Sequence, residues 1–291
     1  MPARLSPPNK RLRIILKKPA QAGFFVFPAM LGILGKTQEM LMLVLFTDYG
    51  WHDPYVGQVK GVLARFAPGV PVIDLLHEVP DFNAHAGAQL LDALVAPFPV
   101  GAVFICVVDP GVGGPREAAV LEADGRWFVG PDNGLLSIVA ARAEKSRVWR
   151  IHWRPDDLSD TFHGRDLFAL VAARIAAGDF PAEWLTPVEA LNILFDAADL
   201  PRILYIDHYG NAWTGIRGGL ADPTATSVEV KGKALPWRKM FGDAAKGEAF
   251  WYVNSAGLVE IAANRANAAQ LLGLAVGDVV KLSGSPDSRL H

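Results

Sequence analysis

Along most of this chain, apolar and polar positions follow one of two periods, strand-like runs or helix-like stripes, in regular alternation. Residues 41–46 (LMLVLF) form an apolar run of strand length that turns at Thr47-Asp48-Tyr49-Gly50. A helical stripe follows through Tyr55, Val59, Val62, Leu63 and Phe66, and Pro68-Gly69 closes it. Residues 70–76 predict the next strand, 84–96 the next helix, and 102–108 (AVFICVV) a strand apolar on both faces. Strands over 118–121, 127–129 and 148–152, with helices over 135–143 and 166–177, extend the layer. The pattern predicts a parallel, Rossmann-like α/β domain.

After Pro201 the texture changes to short β-like segments at 202–207, 212–216, 226–230, 249–254, 257–262 and 278–282, separated by turns such as Val230-Lys231-Gly232-Lys233. Only 266–272 has a helical pattern there. This predicts a smaller all-β barrel or sandwich. The expected organisation is a flexible or non-native extension over 1–40, an α/β catalytic domain over 41–190 and a C-terminal β domain over 200–285.

Bulk properties narrow the class. With 291 residues and 51% hydrophobic composition, the chain can bury two cores. The formal net charge is −2, and no basic run occurs beyond the first 18 residues, so nucleic acid and anionic membranes are not expected partners. Cys106 is the only cysteine and lies within an apolar strand, which points to a reducing cytoplasm. At the N-terminus, the basic stretch from Lys10 to Lys18 precedes an apolar stretch over 22–35 broken by Pro28. Its order is that of a signal peptide, yet it is too short to span a bilayer and no clear cleavage site follows. The working chain is expected to start near Met40 or Met42.

In an open α/β sheet, ligands bind beyond the carboxyl ends of strands, so polar residues directly after apolar runs are the candidates for chemistry. Asp48 follows the first strand. Asp109 follows the third and opens Asp109-Pro110-Gly111-Val112-Gly113-Gly114-Pro115-Arg116, which is neither a Walker loop nor a GxGxxG turn. Asp109 and Arg116 fit either catalysis or a local ion pair closing a turn. A third place is Thr161-Phe162-His163-Gly164-Arg165-Asp166, where Asp166 would make a good helix N-cap. Spacing alone does not bring His163 near Asp109. No His, Asp or Cys cluster has metal-ligand spacing, and no Gly-x-Ser-x-Gly elbow is present.

Five segments resemble the family of S-adenosylmethionine hydrolases that also contains fluorinating and chlorinating enzymes. They are Phe46-Thr47-Asp48-Tyr49-Gly50 continuing to Asp53-Pro54-Tyr55-Val56-Gly57; Val107-Val108-Asp109-Pro110-Gly111-Val112-Gly113 with Arg116; Val129-Gly130-Pro131-Asp132-Asn133-Gly134-Leu135; Thr161 to Asp166; and Ile206-Asp207-His208-Tyr209-Gly210-Asn211 with Thr214. Asn254-Ser255-Ala256-Gly257-Leu258-Val259-Glu260 is also similar. The matches run in order from Phe46 to about Leu282.

The resemblance implies an N-terminal α/β domain, a C-terminal β-barrel, and a homotrimer with active sites between the N-terminal domain of one subunit and the C-terminal domain of the next. It implies that S-adenosyl-L-methionine is the substrate, that no cofactor is needed, and that Asp109, Arg116 and His163 handle the attacking water. By the same carry-over, Asp48 holds the ribose hydroxyls, Phe82 lies against the nucleoside and Asn211 reads the adenine edge. Asp207 and Ser255 hold the methionine end, and Asp53, Gly164, Tyr209 and Glu260 line the substrate. The halogenating members carry tyrosine at the position of Asp109 and serine at that of Gly164, so the resemblance favours hydrolysis. It leaves a chlorinase-like enzyme, or a binding protein of the same fold without turnover, as alternatives. Halogenases also have arginine where this chain has Ala256, which puts carboxylate recognition at that point in doubt.

Overall fold

The computed structural model describes residues 41–220 and 226–283, so the expected extension over 1–40 lies outside the described residues. Strands β1 (Leu43–Thr47), β2 (Val72–Leu76), β3 (Val103–Val107), β4 (Ala118–Ala123), β5 (Arg126–Pro131), β6 (Ser146–Ile151) and β7 (Leu185–Val188) form one sheet in the order β2-β1-β3-β5-β4-β6-β7. The first four in that order run parallel, and β4, β6 and β7 pair antiparallel. The purely parallel layer expected from the sequence therefore holds for half of the sheet. The cause is Asp124-Gly125, two residues at φ 47° and 77° that join β4 to β5. An Asp-Gly pair with both φ positive makes a tight hairpin, whereas a parallel connection needs a crossover of about a dozen residues.

Helices α1 (Tyr55–Phe66), α2 (Ala84–Val95), α3 (Ser137–Arg142) and α4 (Ala169–Ala176) cover both faces. Side chains alternate along a strand, so Leu43, Leu45, Ile105 and Val107 meet Val59 and Leu63 of α1 and Val171 of α4. Their neighbours Val44, Phe46, Phe104 and Cys106 point the other way, into a core with Leu90 and Leu91 of α2 and Val139 of α3. This two-sided burial is why the central strands read as unbroken apolar runs. The helix expected over 166–177 starts earlier, because the backbone is already helical at His163 and passes through a π-turn, Gly164–Phe168, into α4. Asp166 is consequently not the N-cap. It sits inside the first turn, accepts from Ser159 N–H at 3.2 Å and pairs with Arg165 at 2.6 Å.

The second part contains β8 (Leu200–Ile206), β9 (Ala212–Arg217), β10 (Ser227–Val230), β11 (Lys233–Leu235), β12 (Ala249–Val253), β13 (Leu258–Ala263), α5 (Ala268–Leu272) and β14 (Val280–Ser283). Two antiparallel sheets result, β12-β13-β9-β8 and β11-β10-β14. Ile203, Ile216, Trp251 and Ile261 of one sheet share a core with Val228, Val230, Leu235 and Val280 of the other. Single bridges, Arg202 to Val279 and Trp237 to Trp251, join the sheets at both margins. β7 and β11 went unpredicted, the first because Pro187 interrupts it and the second because it is three residues long.

The loop after β3 meets the segment before His163 at Gly113, which has φ 75° and where a Cβ would lie 2.3 Å from the carbonyl oxygen of Asp160. Only glycine tolerates both constraints. Gly113→Ala is expected to cost more than about 1 kcal/mol from the left-handed backbone alone. Gly61→Ala, in α1 with open space around its Cα, should instead be neutral or stabilising by up to about 1 kcal/mol. Denaturant unfolding of both variants measures the difference.

Candidate active site

β1 and β3 are parallel neighbours, so Asp48 and Asp109 emerge at the same edge of the sheet. Because β4 runs antiparallel to β5, the chain enters β4 from that edge too, and Asp109 and Arg116 become the two feet of one loop. Arg116 Nε donates to Asp109 Oδ1 at 2.8 Å and Nη2 donates to Oδ2, a bidentate pair. Nη2 also lies 2.9 Å from His163 Nδ1. A guanidinium can only donate, so Nδ1 accepts and the neutral imidazole carries its proton on Nε2. The guanidinium lies over the Phe168 ring, 5.4 Å from its centre. Side-chain exposure of 5% for Asp109 and 11% for Arg116 screens this pair from water. Burial first, and then the positive charge of Arg116, push His163 below the usual histidine range, while Asp109 pulls the other way. The local ion pair that the sequence allowed between Asp109 and Arg116 is present, and its guanidinium also brings His163 beside Asp109, which spacing alone did not.

A cavity of about 900 Å³ opens at this edge, lined by Asp48, Asp53, Phe82, Asp109, His163 and Gly164 among others. Asp48 Oδ2 accepts from the Phe82 N–H at 3.3 Å. Burial raises the Asp48 carboxyl above the ordinary range, the Phe82 N–H opposes that, and Asp81 and Asp109 add to it. Phe82 itself has φ 59° and a ring that is 74% exposed, so it is not a core residue. A bulky side chain held at positive φ is strained, and such strain collects at functional sites.

Tyr49 lines this cavity and was missed as a site residue, although it stands inside a matched segment. Its ring packs against Tyr55 and Phe162, with centroids 5.7 Å away in each case, and burial keeps its hydroxyl protonated. A Cβ on Gly164 would come within 1.9 Å of that hydroxyl. Glycine after His163 is therefore what lets Tyr49 stand where it does.

Asp207, Tyr209, Asn211, Ser255 and Glu260 line a different cavity of about 1180 Å³, which shares no lining residue with the first. Here Asp207 accepts from the N–H groups of Tyr209 at 2.9 Å and Asn211 at 2.8 Å, and from the Asn211 amide at 3.1 Å. Glu260, on β13, faces Tyr252 of β12 across the ladder and accepts from its hydroxyl at 2.7 Å and from Asn254 Nδ2 at 2.9 Å. Both partners are uncharged donors. Burial raises the Glu260 carboxyl, those donors lower it, and Asp207 raises it further. Tyr252 and Asn254 escaped sequence reasoning because their role depends on strand register. Among the described residues, no group of three or more His, Cys, Asp or Glu is arranged to hold a metal ion, and no helix is long and apolar enough to cross a membrane.

Residues 43–185 match the SAM hydroxide adenosyltransferase N-terminal domain, and residues 201–281 match the C-terminal domain of the same family. A Thermus thermophilus protein named (R)-S-adenosyl-L-methionine hydrolase is 38% identical, over 84% of this chain and its own full length. A fluorinase from Nocardia brasiliensis is more distant, at 27% identity over 83% of this chain and 96% of that enzyme. The crystal structure of an uncharacterized conserved protein from Thermotoga maritima superposes with a TM-score of 0.76 at 32% identity, covering 83% of this chain and 99% of that one. With both family domains matched in order and a hydrolase relative aligned along its whole length, the chain belongs to the SAM hydroxide adenosyltransferase family.

Proposed function

We propose that this protein hydrolyses S-adenosyl-L-methionine to adenosine and L-methionine, taking the R epimer at sulfur that its relatives' names specify. The observation that carries this reading is the bidentate Asp109–Arg116 pair with His163 on the same guanidinium, at a cavity that also holds Asp48. Water attacks C5′ of the ribose, the new C–O bond forms as the C5′–S bond breaks, and the bonding pair leaves on sulfur as a neutral thioether. The leaving group needs no proton and the reading calls for no cofactor. The protein has to hold one water in line, orient it and remove its proton. His163, held by Arg116 with its proton on Nε2, orients the water as a donor. Asp109 keeps free lone pairs after accepting from Arg116 and takes the proton.

Asp48 accepts from the ribose hydroxyls, with Asp53, Phe82 and Gly164 around the nucleoside. Asn211 and Tyr209 meet the adenine, and Asp207, Ser255 and Glu260 meet the methionine end. Because the two groups line separate cavities of one chain, the reading includes a homotrimer in which the first cavity of one subunit faces the second cavity of the next. The same family resemblance supports a Rossmann-like domain over 41–190 and a barrel over 200–285, and the two sheet-joining bridges fit the barrel. The compartment is the cytoplasm, in keeping with the buried thiol of Cys106. Halogenation is disfavoured because the Asp109 carboxylate would repel an incoming halide.

Incubation with S-adenosyl-L-methionine in isotopically labelled water, with chloride present, tests the reaction. The label is expected on the 5′ oxygen of adenosine, and accumulation of 5′-chloro-5′-deoxyadenosine would overturn hydrolysis. His163→Ala and Arg116→Ala are expected to lower kcat by a factor of about 10² to 10⁴ while leaving adenosine affinity nearly unchanged in calorimetry. In the intact enzyme, kcat should hold as pH falls through about 6.5, where a free histidine protonates. It should drop only below that, when the depressed His163 gains a proton on Nδ1 and can no longer accept from Arg116. Subunit exchange tests the assembly: a mixture of Asp109→Ala and Asn211→Ala proteins should regain activity at mixed interfaces. No recovery after exchange would confine the site to one chain.

A further inference from the structure

The proposed chemistry leaves unused a histidine that is completely buried beside the site, His77, in the turn after β2. Its Nε2 lies 3.0 Å from Asp74 Oδ1, and Lys60 Nζ reaches the other oxygen of Asp74 at 2.6 Å. A carboxylate only accepts, so Nε2 donates to it, and in that tautomer Nδ1 is an acceptor. That acceptor lies 2.8 Å from the hydroxyl of Thr47, whose oxygen in turn accepts from the Tyr49 N–H at 3.3 Å. From the Tyr49 amide through Thr47 and His77 each group then donates to the next as far as Asp74, whose other oxygen accepts from Lys60. The relay starts at a half-exposed lysine and ends on the two residues that flank Asp48.

The same two segments are laced by their backbones. Gly50 N–H donates to the His77 carbonyl at 2.6 Å, Val79 N–H to the Thr47 carbonyl at 3.2 Å, and Phe82 N–H to the Asp48 carboxylate at 3.3 Å. Trp51 packs edge-on against the His77 ring, with centroids 4.7 Å apart, and covers it. A buried polar side chain with both ring nitrogens satisfied is a rigid support, and rigid supports set the angle at which a neighbouring group meets its ligand.

We propose that His77, oriented by Asp74 and Lys60, is a positioning residue that acts through Thr47 to fix the Asp48 carboxylate, and so sets this enzyme's preference for a nucleoside bearing both ribose hydroxyls. This rests on the reading of Asp48 as the ribose-binding carboxylate. Thr47→Val keeps the side-chain shape and removes the hydroxyl, whereas Thr47→Ser keeps the hydroxyl. Calorimetric affinities for adenosine and for 2′,3′-dideoxyadenosine give a ratio that a purely structural role would not move. Wild type is expected to prefer adenosine, Thr47→Val to lose roughly tenfold in that ratio through its adenosine affinity alone, and Thr47→Ser to retain it. Lys60→Met, at the exposed end of the relay, should lower the ratio by roughly threefold and serves as the test should Thr47→Val not fold. Equal affinity of the wild type for both nucleosides would remove the ribose role of Asp48 itself. A wild-type preference that survives intact in Thr47→Val, or in Lys60→Met where that is the folded variant, would overturn the relay alone.

Discussion

The guanidinium of Arg116 holds together three stretches of chain that the sheet and its loops bring to one edge. It grips Asp109 at the other foot of its own loop, receives His163 from the start of the π-turn, and rests on Phe168 one turn further along. Taking Asp109 and Arg116 out of water costs several kcal/mol per ion, and that cost is offset only when geometry and hydrogen bonds are good. Bidentate pairing meets this condition, and it also explains the fold around it. β4 has to reverse, the 109–116 loop has to fold back on itself, and Gly113 has to pass against the Asp160 carbonyl before the three groups can meet.

The two cavities follow different electrostatic designs. In the first, one arginine donates to both a carboxylate and an imidazole, which holds Asp109 and His163 on the same guanidinium with Nδ1 of His163 as an acceptor. The second holds two carboxylates, Asp207 and Glu260, whose hydrogen-bond donors are all uncharged. Lys246 and Arg265 line the same cavity, so it presents both signs of charge, as a site for a ligand end bearing an ammonium and a carboxylate should.

Much of the fold was written in the apolar runs. Every α-helix of the described residues was anticipated to within about three residues, and β1 and β3 stood out because burial on both faces leaves no polar position to confuse the period. What escaped depends on pairing across the chain. Asp124-Gly125 is a strong hairpin signal, but it lies between runs that fit a parallel layer equally well. Asp109 and Arg116 were legible as a pair because they share a loop, while His163, 47 residues beyond Arg116, came into view only through the family resemblance. Tyr252 and Glu260 face each other through strand register, and the contact of Thr47 with His77 crosses from one strand end to the next. Neither leaves a mark on local sequence.

The uncharged hydrogen-bond donors to Asp207 and Glu260 bear on what happens after the bond breaks. On the proposed reaction, the substrate arrives with a positive sulfonium as well as an ammonium, and the methionine that leaves has lost the sulfonium charge to become a neutral thioether. These two carboxylates thus attract the ligand more strongly before the reaction than after it. The charge that makes the sulfur a good leaving group is also the charge that helps hold the molecule in place, so the chemical step loosens its own product.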